Sequence, residues 1–227
     1  MSTQYSVSLA GVSEIETERL MLRQVRLDDA HLLLPTLSNP KSMEWLGGMV
    51  STIEESRDWI AERLARPAYD GFLVQLKSIG SGSDHSSNLG DIRDPDSPPK
   101  IIGIMGSPGV PRIGYIFHPH FSGHGYATEA LQAYLDAYWK HVPPRSSGKG
   151  GSFDFARAMT DADNVPSRRL LERCGFSLQG IEKNNYDNPG KGGLRDEAFY
   201  MIARPGMDVK TVYIPPSERQ RPSDIIS

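Results

Sequence analysis

Two hydrophobic periods alternate along this chain, and the places where one gives way to the other outline its elements. Leu20-Met21-Leu22 opens a short strand. Asp28 or Asp29 is placed to cap a helix carrying Leu32, Leu33 and Leu34, although Pro35 complicates it. Thr52 and Glu55 have capping-box spacing, and Ile53, Ile60 and Leu64 share one helical face up to Arg66-Pro67. Three apolar runs follow as strands: Phe72-Leu73-Val74-Gln75-Leu76, Ile101-Ile102-Gly103-Ile104-Met105 and Ile113-Gly114-Tyr115-Ile116-Phe117, the last closed by Pro119.

The helical period is clearest after them. Ala127, Ala130, Leu131, Tyr134, Leu135 and Tyr138 recur at i, i+3, i+4, i+7, i+8 and i+11. Phe153-Asp154-Phe155-Ala156 then alternates as a strand. Asn164 caps a helix with Pro166 in its first turn and Gly175 just past its end. Residues 176–183 and 197–203 close the pattern as two strands. The order is a short βαα segment, a meander of three strands, then β–α–β–α–β–β counted from the meander's last strand. It predicts the α/β class: a mixed sheet with helices on both faces.

Composition changes this picture mainly at the connections. In residues 78–100, Ser, Gly, Asp and Pro fill 16 of 23 positions, too polar a run to offset the entropy of ordering it. Residues 143–152, PPRSSGKGGS, behave likewise. Both lie between apolar elements, so they read as insertions within one domain over residues 15–204. Residues 205–227 read as a polar C-terminal tail in which Val209 to Ile214 is placed to form a short strand. No repeat recurs at solenoid or propeller periods. The 227 residues set a prior of one to two domains.

Lys plus Arg is 25 and Asp plus Glu is 28, a net charge of −3. That balance argues against non-specific binding to nucleic acid or an anionic membrane. The one cysteine, Cys174, excludes an internal disulfide and a multi-cysteine zinc site, and no metal is expected. Residues 1–20 lack a basic segment followed by an apolar run, so no signal peptide is expected. No stretch approaches about 18 consecutive apolar residues, so no transmembrane helix is expected either. The expectation is a soluble, cytoplasmic monomer or homodimer.

The chemistry is concentrated in the segment joining the third meander strand to the clearest helix. Gly123 and Gly125 let the backbone turn tightly and approach a ligand closely. The helix that follows presents free N–H groups and the positive end of its dipole at that point. A glycine-bearing turn running into a helix N-terminus is an anion site suited to phosphate. The alternative reading is an ordinary strand–helix turn with glycines for geometry. A dinucleotide fingerprint would need a third glycine where Thr128 stands, and no Lys-Ser/Thr follows the glycines as a P-loop requires.

Tyr115 to Leu131, YIFHPHFSGHGYATEAL, resembles the acyl-CoA loop of the GNAT N-acetyltransferases. The closer likeness is to the RimJ/RimL branch, which includes ribosomal-protein N-terminal acetyltransferases. That branch typically reads G-Y-x-L/I-x-P, then Gln/Arg-x-x-Gly-x-Gly/Ala, then T-E-A, and here Ser122 stands in place of the Gln or Arg. Asp163 to Phe176, DNVPSRRLLERCGF, resembles the family's N-x-x-S-x-x-x-L/Y-x-x-x-G-F helix, and Ile15 to Arg23, IETERLMLR, its opening strand. The resemblance covers about residues 15–204.

The resemblance implies a GNAT-like fold, whose central mixed sheet has two splayed parallel strands, here Ile113–His118 and Phe153–Arg157. It implies acetyl-CoA as cosubstrate. Main-chain groups at Phe117 and His118 would meet the pantetheine arm. Ser122, Gly123, His124, Gly125, Tyr126, Ala127 and Thr128 would surround the pyrophosphate, Asn164 would bond the pantetheine, and Arg168 would lie near the nucleotide phosphates. Taken alone, Asn164 is a plain helix cap and Arg168 part of a solvated helix face.

The implied activity is acetyl transfer to a primary amine, a protein N-terminus or a small amine, by direct attack in a ternary complex. The amine must lose a proton and the leaving thiolate must gain one or a hydrogen bond. The family's tyrosine for the thiol falls here at Leu171, which leaves Ser167, one turn earlier, as the expected donor. No general base stands out; Glu44, among the substrate-side helices, is the candidate, ahead of His118, His120 and Asp154. Cys174 ends a helix, where the dipole disfavours a thiolate, and reads as core. Because Ser122 and Leu171 depart from the family pattern, a non-catalytic acyl-CoA-binding or regulatory module stays open beside the enzyme. A nicotinamide-dependent oxidoreductase rests only on the partial glycine pattern.

Overall fold

The computed structural model describes residue 9 and residues 11–77, 100–148 and 152–211. The chain opens with strands β1 (Glu14–Glu16) and β2 (Leu20–Gln24), then helices α1 (Ala30–Leu37), α2 (Pro40–Met43) and α3 (Ile53–Leu64). The meander follows as β3 (Asp70–Leu76), β4 (Ile101–Gly109) and β5 (Arg112–Phe117). After it come α4 (Tyr126–His141), β6 (Phe155–Asp161), α5 (Val165–Arg173), β7 (Ser177–Asn188) and β8 (Gly193–Ala203). The strands form one sheet in the order β1-β2-β3-β4-β5-β6-β8-β7. Every neighbouring pair is antiparallel except β5 and β6.

Alternation along the strands sorts the core into two layers. Phe72, Val74 and Met105 pack with Leu131, Tyr134 and Leu170 of α4 and α5. Leu73, Ile104 and Ile116 pack with Leu33, Leu37 and Ile60 of α1 and α3. The helical stripe on α4 is buried as its period requires: Ala130, Leu131, Tyr134 and Tyr138 are at 0% exposure. Each leucine of that stripe contributes about 1.5–3 kcal/mol by leaving water. The far end of α4 is held by Arg204, whose guanidinium donates to the carbonyls of Trp139 (3.0 Å), Val142 (2.7 Å) and Phe153 (2.9 Å). A cation there satisfies orphan carbonyls and the negative end of the dipole.

Several boundaries differ from the sequence reading, each for a local reason. The opening strand placed at Ile15–Arg23 is two strands, β1 and β2, which pair antiparallel across the turn at residues 17–19. Ile102 falls in a register shift opposite Val74 and Gln75, so its face cannot be read by simple alternation. On α3, Ile53 and Leu64 are exposed, and the buried stripe runs through Ile60 and Ser56, whose hydroxyl donates to the Ala30 carbonyl at 2.8 Å. Thr52 caps α3 by accepting from the Glu55 amide, but the Glu55 carboxylate reaches the amide of Ser51, not of Thr52. Asp29 turns away from its helix to accept from the Arg26 amide and both Arg23 terminal nitrogens. α1 runs through Pro35, which forfeits one ladder bond.

The strand placed at residues 153–156 is instead β6, because seven Cα pairings with β8, from Phe155↔Ala203 to Asp161↔Glu197, carry it through polar residues. β7 and β8 are likewise longer than their apolar centres. Within 143–152, Arg145–Ser147 forms a 3₁₀ turn tied to Asp154 through the Arg145 amide (3.2 Å). Val209–Thr211 is a 3₁₀ turn where a strand was expected. Residues 78–99, 149–151 and 212–214 of those expectations lie outside the described residues.

Asp70, at the start of β3, is buried and accepts from the Leu9 amide at 2.5 Å. Burial pushes its carboxyl up to about 6, and the Leu9 bond offsets this only in part. An unfolded aspartate titrates near ~3.9. The folded state therefore holds the proton more tightly. The stability linked to it is complete below about pH 4 and is lost as pH rises through about 6. Asp70→Asn keeps an acceptor for Leu9 and removes that loss. In urea melts its stability relative to the parent should rise between about pH 4 and pH 7; an unchanged difference would contradict the assignment.

Candidate active site

β5 and β6 run parallel yet share one Cα pairing, Arg112↔Arg157. The Arg157 amide donates to the Pro111 carbonyl at 2.9 Å, and beyond it the two strands part. Each stays bound on its outer side, β5 to β4 and β6 to β8. The inner edges over residues 114–117 and 158–161 therefore have no ladder partner among the described residues. Unpaired strand edges that face each other across a gap are a template for an extended, amide-bearing ligand.

The connection from β5 to α4 closes the wide end of that gap. Pro119–Phe121 makes a 3₁₀ turn, and its amides are consumed locally: Phe121 donates to His118 (3.1 Å) and Ser122 to Pro119 (3.0 Å). The backbone then turns left-handed at Gly123 (φ +85°) and Gly125 (φ +79°). Gly125 is the N-cap of α4 and supplies no side-chain cap. The next amide with a backbone acceptor is Glu129, bonded to the Gly125 carbonyl at 3.0 Å. Among the described residues, the amides from Gly123 to Thr128 thus have no backbone acceptor, and Ser122 to Gly125 are exposed. Successive unfilled N–H groups at the positive end of a sixteen-residue helix are what a phosphate requires. His118 is more self-contained. Its amide donates to Ile102 and its carbonyl accepts from Phe121, so its main chain is used within the protein.

α5 borders the same gap. The Asn164 carboxamide oxygen accepts from the Ser167 amide at 3.2 Å, which makes it the helix N-cap and leaves its nitrogen outside the cap. The Ser167 hydroxyl lies 2.9 Å from the Tyr115 hydroxyl of β5. Burial raises the Tyr115 pKa, and its bond to Ser167 offsets this only in part, so it stays protonated. Arg168 is bonded to the Tyr200 hydroxyl (3.0 Å) and the Ala162 carbonyl (2.9 Å). The α5 cation that touches the first turn of α4 is Arg173, 3.4 Å from Thr128 Oγ1. Leu171 is fully buried. Cys174 is buried too, and desolvation pushes its thiol up to about 11.

The other face of the sheet carries a different chemistry. The Glu44 carboxylate, at the end of α2, is ion-paired with Lys191, whose ammonium also lies 4.1 Å from the Trp45 ring centroid. Asn188 donates to the Glu44 carbonyl at 3.3 Å. These contacts tie α2 to the tip of the β7–β8 hairpin. Behind them, Asp161 accepts from Arg195 (2.9 and 3.2 Å) and from the Tyr186 hydroxyl (2.5 Å). Burial alone would raise the Asp161 pKa, but Arg195 and Tyr186 outweigh it and hold the carboxylate ionised. Glu197, its Cα partner, is raised by burial, with Asn185 as its hydrogen-bond donor. The His118 ring accepts from the His120 amide at Nδ1 (3.2 Å), and its Nε2 lies 3.5 Å from Asn39 Nδ2. Burial and then His120 lower its pKa, so it stays neutral.

The structure brings Gly123 to Thr128, Phe117, Asn164 and Ser167 around one gap. It does not bring Glu44 to Ser167: they lie on opposite faces of the sheet, one with α2 and the other with α5. Lys191 and Asn188 had no sequence signal, because each acquires its role through a partner 147 or 144 residues away. Tyr115 stood in the acyl-CoA-loop likeness, but its contact with Ser167, 52 residues on, left no mark along the chain. No helix among the described residues is long and apolar enough to cross a membrane, and none of their His, Cys, Asp and Glu side chains form a group that could hold a metal.

A family model described as "Acetyltransferase (GNAT) domain" matches residues 19–177. An uncharacterised N-acetyltransferase of Bacillus subtilis, YnaD, is 23% identical over 188 residues, which span 83% of this chain and 95% of YnaD. Among solved structures, RimL, a ribosomal L7/L12 alpha-N-protein acetyltransferase in complex with coenzyme A, aligns with a TM-score of 0.62 at 17% identity, over 84% of this chain and 98% of RimL. The microcin C7 self-immunity acetyltransferase MccE, in complex with acetyl-CoA and AMP, aligns with a TM-score of 0.62 at 18% identity, over 87% of this chain and 98% of MccE.

A buried thiol raised to about 11 is not a nucleophile at neutral pH. Cys174 should resist alkylation by iodoacetamide at about pH 7.5 until the protein is unfolded in urea. Rapid labelling of the native protein would contradict that burial.

Proposed function

The chain belongs to the acetyltransferase (GNAT) family, and we propose that it moves an acetyl group from acetyl-CoA to a primary amine, a protein N-terminus or a small amine. The observation that carries this reading is the conjunction of two features at one place. The parallel strands part after a single pairing, and the helix that begins at their wide end has unfilled amides from Gly123 to Thr128. The first feature suits a pantetheine arm and the second a pyrophosphate. The coenzyme A and acetyl-CoA complexes of similarly folded proteins support the same ligand.

Acetyl-CoA, when bound, supplies the thioester carbonyl that the amine attacks. The chain's part is to hold, orient and exchange protons. The amides of Gly123 to Thr128, with the dipole of α4, would hold the pyrophosphate. The free edge of β5 up to Phe117 would bond the pantetheine amides, and an N–H on that edge would face the carbonyl oxygen as charge develops on it. The Asn164 carboxamide nitrogen, unused by the cap, is placed as a further donor. Ser167 would donate to the departing sulfur, with Tyr115 behind it at 2.9 Å as a protonated reserve. Arg168 is committed to Tyr200 and Ala162, and the main chain of His118 and the amide of Ser122 to the protein itself, so none of the three enters this scheme.

The amine would enter from the opposite face, between α2 and the β7–β8 hairpin, and meet the acetyl group through the gap. Glu44 serves there as an anchor for Lys191 and not as a base. Only the unprotonated amine attacks, so turnover should rise with pH until the amine is neutral.

Thermal melts with CoA or acetyl-CoA at about 100 times the dissociation constant should show roughly 2.7 kcal/mol of stabilisation. Absence of any shift would overturn the reading. Gly125→Val forces a β-branched residue to positive φ, about 1–2 kcal/mol of strain, and should weaken CoA binding while leaving the sheet intact by circular dichroism. With an amine found by screening thiol release, Ser167→Ala should lower kcat about 100-fold with little change in the KM for acetyl-CoA. Full activity in that variant would remove Ser167 from the mechanism.

A further inference from the structure

We infer that Arg19, with Glu129 and Thr17, is a positioning device that sets the direction in which the loop at residues 122–128 presents its amides. This rests on the proposal that the loop holds the pyrophosphate of CoA. Thr17 and Arg19 lie in the turn between β1 and β2, more than a hundred residues from the loop. Glu129 is in the first turn of α4. Its Oε1 accepts from Thr17 Oγ1 (2.6 Å) and from the Arg19 amide (3.0 Å). Its Oε2 accepts from Arg19 Nε (2.7 Å) and Nη2 (2.6 Å). Burial would raise the Glu129 pKa, but these bonds outweigh it and keep the carboxylate ionised. All its strong acceptor directions are used, so it is neither a free base nor a free charge.

The third arm of Arg19 does the work on the loop. Nη1 donates to the His124 carbonyl at 3.0 Å, and the guanidinium lies 4.7 Å from the centroid of the Tyr126 ring, which itself stacks on His124. A trans peptide is planar, with its C=O and N–H pointing in opposite directions. Fixing the His124 carbonyl toward Arg19 therefore turns the Gly125 N–H away from Arg19, to the side where Gly123 to Thr128 lack acceptors. A Cβ added at Gly125 would lie 3.6 Å from Arg19 Nη2, so the guanidinium stands beside the loop at that residue too.

The electrostatics require the same arrangement. A lone carboxylate in the first turn of α4 would repel a bound diphosphate. Pairing it with Arg19 neutralises it and spends its charge on rigidity. The guanidinium needs all three nitrogens to do this, two on Glu129 and one on His124, and a lysine has no such planar fork. The device serves a pyrophosphate and is indifferent to the rest of CoA.

That indifference supplies the test. Binding of CoA and of S-acetylpantetheine, which lacks the pyrophosphate, is measured by calorimetry or by ligand-detected NMR for the parent, Arg19→Lys, Arg19→Ala and Glu129→Gln. The expected result is that CoA binds about tenfold or more weakly to each variant, while S-acetylpantetheine binds as to the parent. Arg19→Lys should fail to rescue despite keeping the charge. Equal losses for both ligands would mean general damage to the fold and overturn the inference, as would full rescue by lysine or unchanged CoA affinity. Where Arg19→Ala fails to fold, Arg19→Lys and Glu129→Gln carry the comparison alone. If the parent itself binds no CoA, the proposed function falls, a result distinct from any of these.

Discussion

The single Cα pairing of β5 with β6, at Arg112 and Arg157, is the constraint on which the rest of the structure depends. Both strands are satisfied on their outer edges, so neither needs the other to be stable. β6 has seven pairings with β8, and β5 has its own ladder with β4. The connection between them runs through α4, which is anchored at its far end by Arg204 and along its length by the stripe from Ala130 to Tyr138. With both strands and the crossover helix independently fixed, the gap costs unpaired backbone groups that the protein does not itself satisfy. Buried or half-buried backbone groups left in this state are a standing invitation to a ligand that carries its own amides.

The gap also divides the protein into two chemical territories. On the α4 and α5 face, charge is handled by backbone amides and a helix dipole, beside the hydroxyls of Ser167 and of Tyr115, whose proton is secured by burial. On the α1 and α2 face, charge is handled by side chains in balanced sets, Glu44 with Lys191 and Asp161 with Arg195. A protein with net charge −3 can hold an anion on the first face because oriented dipoles, unlike lysines, do not appear in a charge count.

Much of the fold was legible because burial leaves a period in the sequence. The α4 stripe, the Thr52 cap and the Asn164 cap were all read from local spacing, since each involves partners within one or two turns. The glycine loop was legible for the same reason: positive φ at Gly123 and Gly125 is a demand on single residues. What misled was apolar character without context. Ile53 and Leu64 have the right spacing for a buried face, yet Ser56 occupies that face and they do not. Polar strand residues misled in the opposite sense, since Arg157 to Asp161 join β6 only because β8 is there to pair with them.

By itself, then, the sequence determined the layered α/β architecture, the helices and the loop with its glycines, because these follow from interactions between residues a few positions apart. It also carried the three ordered likenesses that point to acyl-CoA chemistry. Only the tertiary structure decided which groups are free to act. Arg168 and Glu44 looked available and are committed to Tyr200 and Lys191, while Tyr115 looked like core and sits against Ser167. Arg19 lies in the turn between β1 and β2 and grips a loop carbonyl 105 positions later. Such assignments depend on contacts between distant segments, and no periodicity along the chain records them.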